Sequence, residues 1–477
     1  MTIHRTERLL LWCVGTHLVF LPWALGTMHL WSQLASLTLA GIGFSVSLMP
    51  RHYRQEDNGS AAFGLVMWPR LLRFPVFWLG LILLAVITIQ ALNPSWRYTT
   101  DGKAWWMTRI SNHITWLPLG VDVPFKKGGP WRQLIIYTST WLTVCSLWVG
   151  FTRRRALRAL LIILAVNGVL LAGFGVIQNA FGNGKIFWMR ASSNISFFAS
   201  FIYKNHAGAY FLLTLAVCAG LGSWYYLRGL RRLEKSNPAG LFAFLTLGVA
   251  VAIFVSYARG ATLIMVVFLA GCTVVFVAHQ FFLKHTIRAL FGTIALLAIF
   301  GLFLKTGAET ALSREAWSRL TIGLKRQDQS LDSREWVTAA AGAMLADNWK
   351  SGVGAGSFQF LFPVYQHRDP RLVSSGGTAM FWEHAHNDLL EIPIELGLTG
   401  IGVLVAIAGY LVLTLVRSAF WRNPLSGSLI FGIVLLVVYA RWDFPLQCPA
   451  ILVTACALAV VSALWARFEH SATSLPS

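Results

Sequence analysis

Charged residues are scarce in this chain, at 12% of 477 residues, whereas a soluble domain carries about 25%. With so few polar groups a soluble chain of this length could not cover its surface, so that class is excluded. Cys-x-x-Cys and Cys/His ligand spacings are also absent, which argues against a disulfide framework and a zinc site. With 32 Phe, 21 Trp and 11 Tyr, the chain is too aromatic for a solvated coil.

What the chain does contain is long apolar runs. A bilayer core of about 30 Å needs roughly 20 apolar residues per helix. The sequence therefore predicts an all-α polytopic membrane protein with about 12 transmembrane helices. The predicted spans lie near residues 9–27, 29–49, 70–92, 132–152, 159–178, 207–227, 239–257, 262–282, 289–304, 396–416, 425–442 and 447–466.

The net charge of +20 is unevenly distributed between the loops. The side that holds both termini carries 19 of the 39 basic residues but only five of the 19 acidic ones. By the positive-inside rule that side is the cytoplasm. No basic cluster is long enough to indicate nucleic-acid binding. The outer segments are 93–131, 179–206 and a long, partly helical loop, 305–395.

The long outer loop contains a predicted helix start at Asp332–Glu335. Asp332 fits an N-cap and Glu335 its capping-box partner. Arg334 then lies in the first turn, where free N–H groups favour an anion. An exposed or salt-bridged arginine is the alternative.

A glycine-rich run, Ser351–Phe358, follows that helix. It has neither the Gly-Lys-Ser/Thr ending of a Walker loop nor the βαβ context of a dinucleotide site. Two interpretations stay open: a structural turn, or a backbone that approaches phosphate closely.

The segment Glu383–Gly397 holds the densest group of titratable residues. On a helix, His384, Asp388, Glu391 and Glu395 share one face. Pro393 is expected to end or kink that helix. A histidine here can accept a proton if a carboxylate orients it. A metal site built from His384, His386 and acids is the alternative.

Three short segments place polar residues at span ends. Arg259 lies in a Ser-Tyr-Ala-Arg-Gly turn, where a charge either serves function or snorkels to the interface. Tyr203-Lys204-Asn205-His206 precedes a span, as does Arg441-Trp442-Asp443, which is as easily a local Arg–Asp pair. Trp105-Trp106 fits an interfacial belt or a sugar-stacking surface.

Together, these segments resemble the shared domain of O-antigen ligases and O-antigen polymerases. The resemblance covers roughly residues 200–415 and rests on the order of the motifs, because each one alone is weak. One departure is Tyr203, where some members have asparagine before the Lys-Asn-His segment. The matching motifs are Tyr203–Gly208, Ser256–Gly260, Asp332–Arg334, Gly352–Phe358, His384–Asp388 and Glu395–Gly397.

This resemblance implies a membrane glycosyltransferase of the C type in the bacterial inner membrane, with a periplasmic active site and cytoplasmic termini. The donor is a glycan on undecaprenyl diphosphate. Ligases transfer it to lipid A–core and polymerases to another lipid-linked repeat unit. On this basis the chain divides into N-terminal transmembrane helices (1–158), a catalytic region (159–416) and C-terminal helices with a short cytoplasmic tail (417–477).

Residue roles follow from the resemblance as well. Arg259 and Arg334 are expected to hold the diphosphate, and His386 to act as the base, with His384 as the alternative. Inverting transfer without metal or cofactor is implied. The expected substrate contacts are His384, Asn387, Lys204, Asn205, His206 and Arg441.

The acceptor stays open. A polymerase of O-antigen or exopolysaccharide assembly is slightly preferred, because Lys204-Asn205-His206 resembles exopolysaccharide-type members. The alternatives are an O-antigen ligase, a protein O-oligosaccharyltransferase and, from another class, a polysaccharide or lipid transporter or flippase. Besides lipid-linked substrates and the bilayer, other polysaccharide-assembly proteins are candidate partners.

Overall fold

The computed structural model describes residues 3–53, 63–194, 196–234, 236–282, 329–373 and 380–473, with isolated positions between 287 and 301. Fourteen helices fall within the described parts of the chain. They are α1 (Arg5–Trp23), α2 (Leu30–Ser47), α3 (Trp68–Leu72), α4 (Pro75–Leu92), α5 (Pro130–Gly150), α6 (Arg154–Ala180), α7 (Lys204–Arg232), α8 (Ala239–Val255), α9 (Arg259–Phe282), α10 (Gln329–Asn348), α11 (Phe358–Gln366), α12 (Asp388–Arg417), α13 (Pro424–Tyr439) and α14 (Pro449–Thr473).

Eleven of the twelve predicted spans coincide with helices, while the ninth, 289–304, lies largely outside the described residues. Among the described helices, six are long and apolar enough to cross a membrane: α4, α6, α7, α9, α12 and α14. Helices α8 and α13 are apolar but shorter. The protein is therefore an all-α polytopic membrane protein, as predicted.

Helix α12 shows where lipid is expected. Beyond its first turns it exposes Leu398, Val405 and Val412, each more than half accessible. Such a row of exposed aliphatic side chains would be costly in water but is favourable against acyl chains.

The outer segment 93–131 folds as a small sheet, which the sequence analysis did not predict. Its strands are β3 (Pro94–Thr100), β4 (Trp105–Arg109) and β5 (Gly120–Asp122), in the order β4-β3-β5. Trp96 and Met107 lie on one face of this sheet and pack against a buried cluster that includes Phe358 and Phe362. Two further pairs of strands are short: β1 (Arg51–Tyr53) with β2 (Phe63–Leu65), and β6 (Lys185–Ile186) with β7 (Arg190–Ala191).

The chain forms two compact units. The first comprises residues 1–160, 328–420 and 440–477, and the second comprises 161–327 and 421–439. The functional boundaries predicted at 158 and 416 stay a prediction.

In the first unit, a buried cluster joins α10, α11 and the start of α12. Phe358 and Phe362 of α11 stack at 4.8 Å and pack with Ala385 and Ile394 around the start of α12. A second cluster joins α4 to the same region through Ile87 and Leu396.

In the second unit, the largely buried helix α7 packs against α8, α9 and α13. Small residues allow these helices to approach closely. A Cβ at Gly208 would lie 2.5 Å from the Cβ of Ala261, and one at Gly432 would lie 2.5 Å from that of Ala216.

Candidate active site

The start of helix α12 carries three buried acids. The helix begins at Asp388, so the prediction that His384 shares its face as a helical residue is wrong. Asp388, Glu391 and Glu395 share one face of the helix, as predicted, and all three are buried. Pro393 does not end the helix. The break comes instead at Gly397, whose φ of 63° and ψ of −173° are accessible essentially to glycine alone.

The glycine-rich run docks onto this break. The N–H of Val353 donates to the carbonyl of Ile394, and that of Gly354 to the carbonyl of Glu395, both at 3.0 Å. A Cβ at Gly352, where φ is 70°, would lie 2.5 Å from the Glu395 carbonyl oxygen. The run therefore serves as a structural turn here, with the N–H groups of Val353 and Gly354 bonded to the broken helix.

A glutamine of α4 completes this junction. Gln90 donates from Nε2 to the Glu395 carbonyl at 2.8 Å, and its Oε1 accepts from the N–H of Ala355 at 3.1 Å. The Glu395 carboxylate accepts from the N–H of Phe358 at 3.1 Å. The sequence analysis missed Gln90, although a lone amide in an apolar span was a usable signal.

His384 is held by Glu391. Its Nδ1 lies 2.7 Å from Oε1, while the other carboxylate oxygen accepts from the N–H of Ala385 at 2.6 Å. The ring stacks on Phe444 with centroids 4.5 Å apart. Burial lowers the pKa of His384, but the charge and hydrogen bond of Glu391 outweigh it and raise the pKa to about 9. His384 is thus an imidazolium at neutral pH.

His386 lies in the left-handed region, with φ of 51°. Its Nδ1 is 3.7 Å from Oδ1 of the buried Asp443, which is ion-pair distance and longer than a hydrogen bond. The ring is edge-on to Trp382 and Phe444, at 5.7 and 4.7 Å. These contacts orient a partly exposed imidazole beside a carboxylate.

The segment 440–447, which we call the 440s loop, gathers these groups. Asp388 anchors it: its N–H donates to the carbonyl of Ala440 at 2.8 Å, and its Oδ2 accepts from the N–H of Leu446 at 2.7 Å. The alternative of a local Arg441–Asp443 pair is wrong, because Asp443 faces His386. Arg441 is exposed and forms no ion pair with any described residue.

Arg334 reaches the same loop, since its Nη1 donates to the carbonyl of Trp442 at 3.2 Å. Helix α10 already begins at Gln329 and includes Asp332, so the prediction that Asp332 is the N-cap is wrong. Arg334 therefore projects from the second turn.

Three successive residues each leave one buried polar atom without a hydrogen-bond partner in the described part of the chain. These atoms are Nδ1 of His386, Oδ1 of Asn387 and Oδ1 of Asp388. Buried polar groups are nearly always bonded, so a cluster of exceptions marks a place where a ligand or ordered water completes the site.

Comparison with known families adds a finding that is independent of the geometry. Residues 241–405 match the family model described as O-antigen ligase. This region of the chain is therefore similar to an O-antigen ligase domain. No curated protein matches the chain. The match confirms the resemblance read from the motifs and supports a membrane glycosyltransferase of ligase or polymerase type.

The matched region includes Arg259, Arg334, His384 and His386 but ends before Asp443. Sequence reasoning therefore missed Asp443 and Phe444 as partners of the histidines. The only signal was their position in an outer turn, which spacing could not connect to residues nearly 60 positions earlier.

In the second unit, the remaining predicted residues lie at helix starts. Lys204 opens α7, followed by Asn205 and the buried His206, and Arg259 opens α9. Close packing of Gly208 against Ala261 places these two starts side by side. Helix N-termini and cations together favour an anion.

Within the described ranges, no group of three or more His, Cys, Asp or Glu side chains is arranged to hold a metal ion. The Nδ1 atoms of His384 and His386 instead face Glu391 and Asp443.

Proposed function

We propose that this protein transfers a glycan from undecaprenyl diphosphate to an acceptor hydroxyl at the periplasmic face of the bacterial inner membrane, with both termini cytoplasmic. The observation that carries the proposal is the partly exposed His386 imidazole, 3.7 Å from the buried Asp443 carboxylate. In a chain whose residues 241–405 match the O-antigen ligase family model, this pair suits a general base at an acceptor hydroxyl.

The proposed step is a single inverting displacement. The acceptor oxygen attacks the anomeric carbon while the bond from that carbon to the diphosphate oxygen breaks. His386 takes the hydroxyl proton, and Asp443 stabilises the imidazolium that forms. The electron pair of the broken bond leaves with undecaprenyl diphosphate.

His386 is a better base than His384. Since the pKa of His384 is about 9, that ring already carries a proton at neutral pH. Its proposed role is a fixed cation beside the glycan, with Asn387 as a further polar contact.

The departing diphosphate needs cationic donors. We assign Arg334 and Arg259 to it, because a guanidinium fork matches phosphate oxygens and stays charged. Lys204, Asn205 and His206 are proposed as further donor contacts, and Arg441 as an exposed one. The arginines supply the charge stabilisation, so the proposal requires no metal or cofactor.

Two acceptors are alternatives: a lipid-linked repeat unit and lipid A–core. Lys204-Asn205-His206 resembles exopolysaccharide-type members and favours a polymerase, whereas the family model is described as a ligase. We propose repeat-unit polymerisation first and transfer to lipid A–core second. A protein acceptor, a flippase activity and association with other assembly proteins have no observation of their own.

The experiment is reconstitution of the purified protein in nanodiscs with an undecaprenyl-diphosphate-linked repeat unit, with and without lipid A–core. Lengthened lipid-linked chains indicate a polymerase, and glycan on the core indicates a ligase. The matched inactive control is His386→Ala. If the wild type moves intact lipid-linked glycan across proteoliposomes but forms no glycosidic bond, the proposal is wrong.

A further inference from the structure

A cavity of about 80 Å³ lies in the first unit, against the His384–Glu391 pair. Its walls come from α5, α11, the start of α12 and the 440s loop. None of the described side chains lining it is His386 or Arg334, so the proposed proton transfer and diphosphate binding leave this space unassigned.

Three side-chain amides from separate segments point to a ligand in the cavity. Gln133 of α5, Gln359 of α11 and Gln447 of the 440s loop all line it and are half-buried. None of the three side chains has a hydrogen-bond partner among the described residues. By contrast, the nearby Gln33 is buried and accepts from Arg132 Nε at 2.9 Å.

The charges around the cavity are balanced. Three cationic side chains face three carboxylic ones, the six being Lys127, Arg132, His384, Glu383, Glu391 and Glu395. Arg132 is already engaged, since besides Gln33 it donates to the carbonyls of Lys126 and Met28. A phosphate, which only accepts hydrogen bonds and carries charge, has no advantage in such a site.

A sugar unit fits this chemistry better. Its hydroxyls donate and accept, as side-chain amides do, and its C–H faces suit apolar walls such as Phe358 and Ile136. The wall at Lys127 is held in place by the outer sheet, because its Nζ lies 4.2 Å from the ring centroid of Tyr98, which stacks on Trp105.

We infer that this cavity is a subsite for one sugar unit of the transferred or receiving glycan, with Gln133, Gln359 and Gln447 as its specificity-determining residues. The inference rests on the proposed function, which supplies the saccharide. The donor glycan and the acceptor glycan both carry hydroxyl groups, so kinetic measurements are needed to decide which of them occupies the subsite.

Binding is measured first, without turnover. The probe is the lipid-free oligosaccharide released by mild acid from the lipid-linked repeat unit, titrated by calorimetry against His386→Ala protein in nanodiscs. Each loss of an amide hydrogen bond is expected to weaken binding about 5-fold. The variants are Gln133→Ala, Gln359→Ala and Gln447→Ala, and Gln359→Met keeps the side-chain length if truncation disturbs folding.

The matched control is Asn112→Ala, which removes an exposed amide of the same unit outside the cavity. It should bind the oligosaccharide as the parent does. If the three glutamine variants also bind as the parent does, or if no titration is measurable for the parent, the subsite is overturned.

Kinetic measurements on the same glutamine variants with His386 retained then show whether the donor or the acceptor sugar occupies the subsite. A higher KM for the acceptor assigns the subsite to the acceptor, and a higher KM for the donor assigns it to the donor. The two failures are separable. If binding depends on the amides but the wild type transfers no glycan, the subsite stands and the proposed function is wrong. If all three glutamine variants transfer glycan normally with unchanged KM, the proposed function stands and the subsite is wrong.

Discussion

His384 and Glu391 form a 2.7 Å pair although only Glu391 belongs to helix α12. The irregular segment before the helix folds back so that the Ala385 N–H and the His384 ring share one carboxylate. Glu391 is buried, so its charge is compensated mainly by these two donors. The pair thereby fixes the loop that also presents His386.

This pair predicts a pH-dependent stability. The folded pKa of His384, about 9, is above its unfolded value near 6.5. Its stabilisation is therefore complete below pH 6.5 and is lost as the pH rises through 9, an effect on the order of 3 kcal/mol. Thermal melts of the wild type in detergent should show a fall in Tm between pH 6.5 and 9.5.

In His384→Gln that part of the fall should disappear, because glutamine does not titrate. Comparing the two proteins removes the contribution of all other groups. If Tm falls by the same amount in the wild type and the variant across this pH range, the proposed effect of the pair is wrong.

The base assignment predicts unequal effects of the two histidines and of Asp443. His386→Ala should lower kcat for glycan transfer by about 100-fold or more. Asp443→Asn keeps the shape of the side chain but removes the charge, so kcat should fall less, with KM for both substrates unchanged. Initial rates with the lipid-linked donor provide the measurement.

Asp347→Asn is the control for Asp443, since Asp347 is an exposed carboxylate paired with Arg368. It should transfer at the wild-type rate. Full activity of His386→Ala would overturn the assignment of the base, and a KM effect alone in Asp443→Asn would show that Asp443 does not act on the chemical step.

Arg334 is expected to stabilise the departing diphosphate. Arg334→Ala should reduce transfer by about 100-fold, and Arg334→Lys should recover part of it, because lysine restores charge but not the two-pronged geometry. Arg368→Ala, which removes an exposed arginine of the same unit, should be neutral. If Arg334→Ala, Arg334→Lys and Arg368→Ala are equally active, Arg334 does not bind the diphosphate.

The backbone contact between the glycine-rich run and the broken helix predicts a large loss of stability. Gly352→Ala places a Cβ 2.5 Å from a carbonyl oxygen at a φ of 70°, so the free energy of unfolding should fall by about 3 kcal/mol or more. Gly397→Ala should behave alike. Gly342→Ala in α10, where a Cβ meets open space, should be neutral or stabilising by up to about 1 kcal/mol.

The sequence alone determined the class of the protein and the positions of its helices. Apolar runs of about 20 residues have few ways to bury their backbone in lipid other than as helices, so hydropathy located eleven described helices. Local motifs likewise located the region that the family model matches, and they indicated Arg334, His384 and His386 as candidates. Helix position and motif identity depend on residues that are close together in the chain, so the sequence alone is enough to recognise them.

Only the tertiary structure decided which side chains meet. The 440s loop comes nearly 60 residues after His386. Its Asp443 lies opposite His386, and its Phe444 contacts both histidines, through a fold that no local pattern encodes. The start of α12 was misplaced for the same reason. Its Asp388 carboxylate accepts from a distant partner, the Leu446 N–H, which neither helical spacing nor the position of Pro393 could indicate. Long-range packing, which depends on every element at once, assembled the candidate site from segments that the sequence could only mark separately.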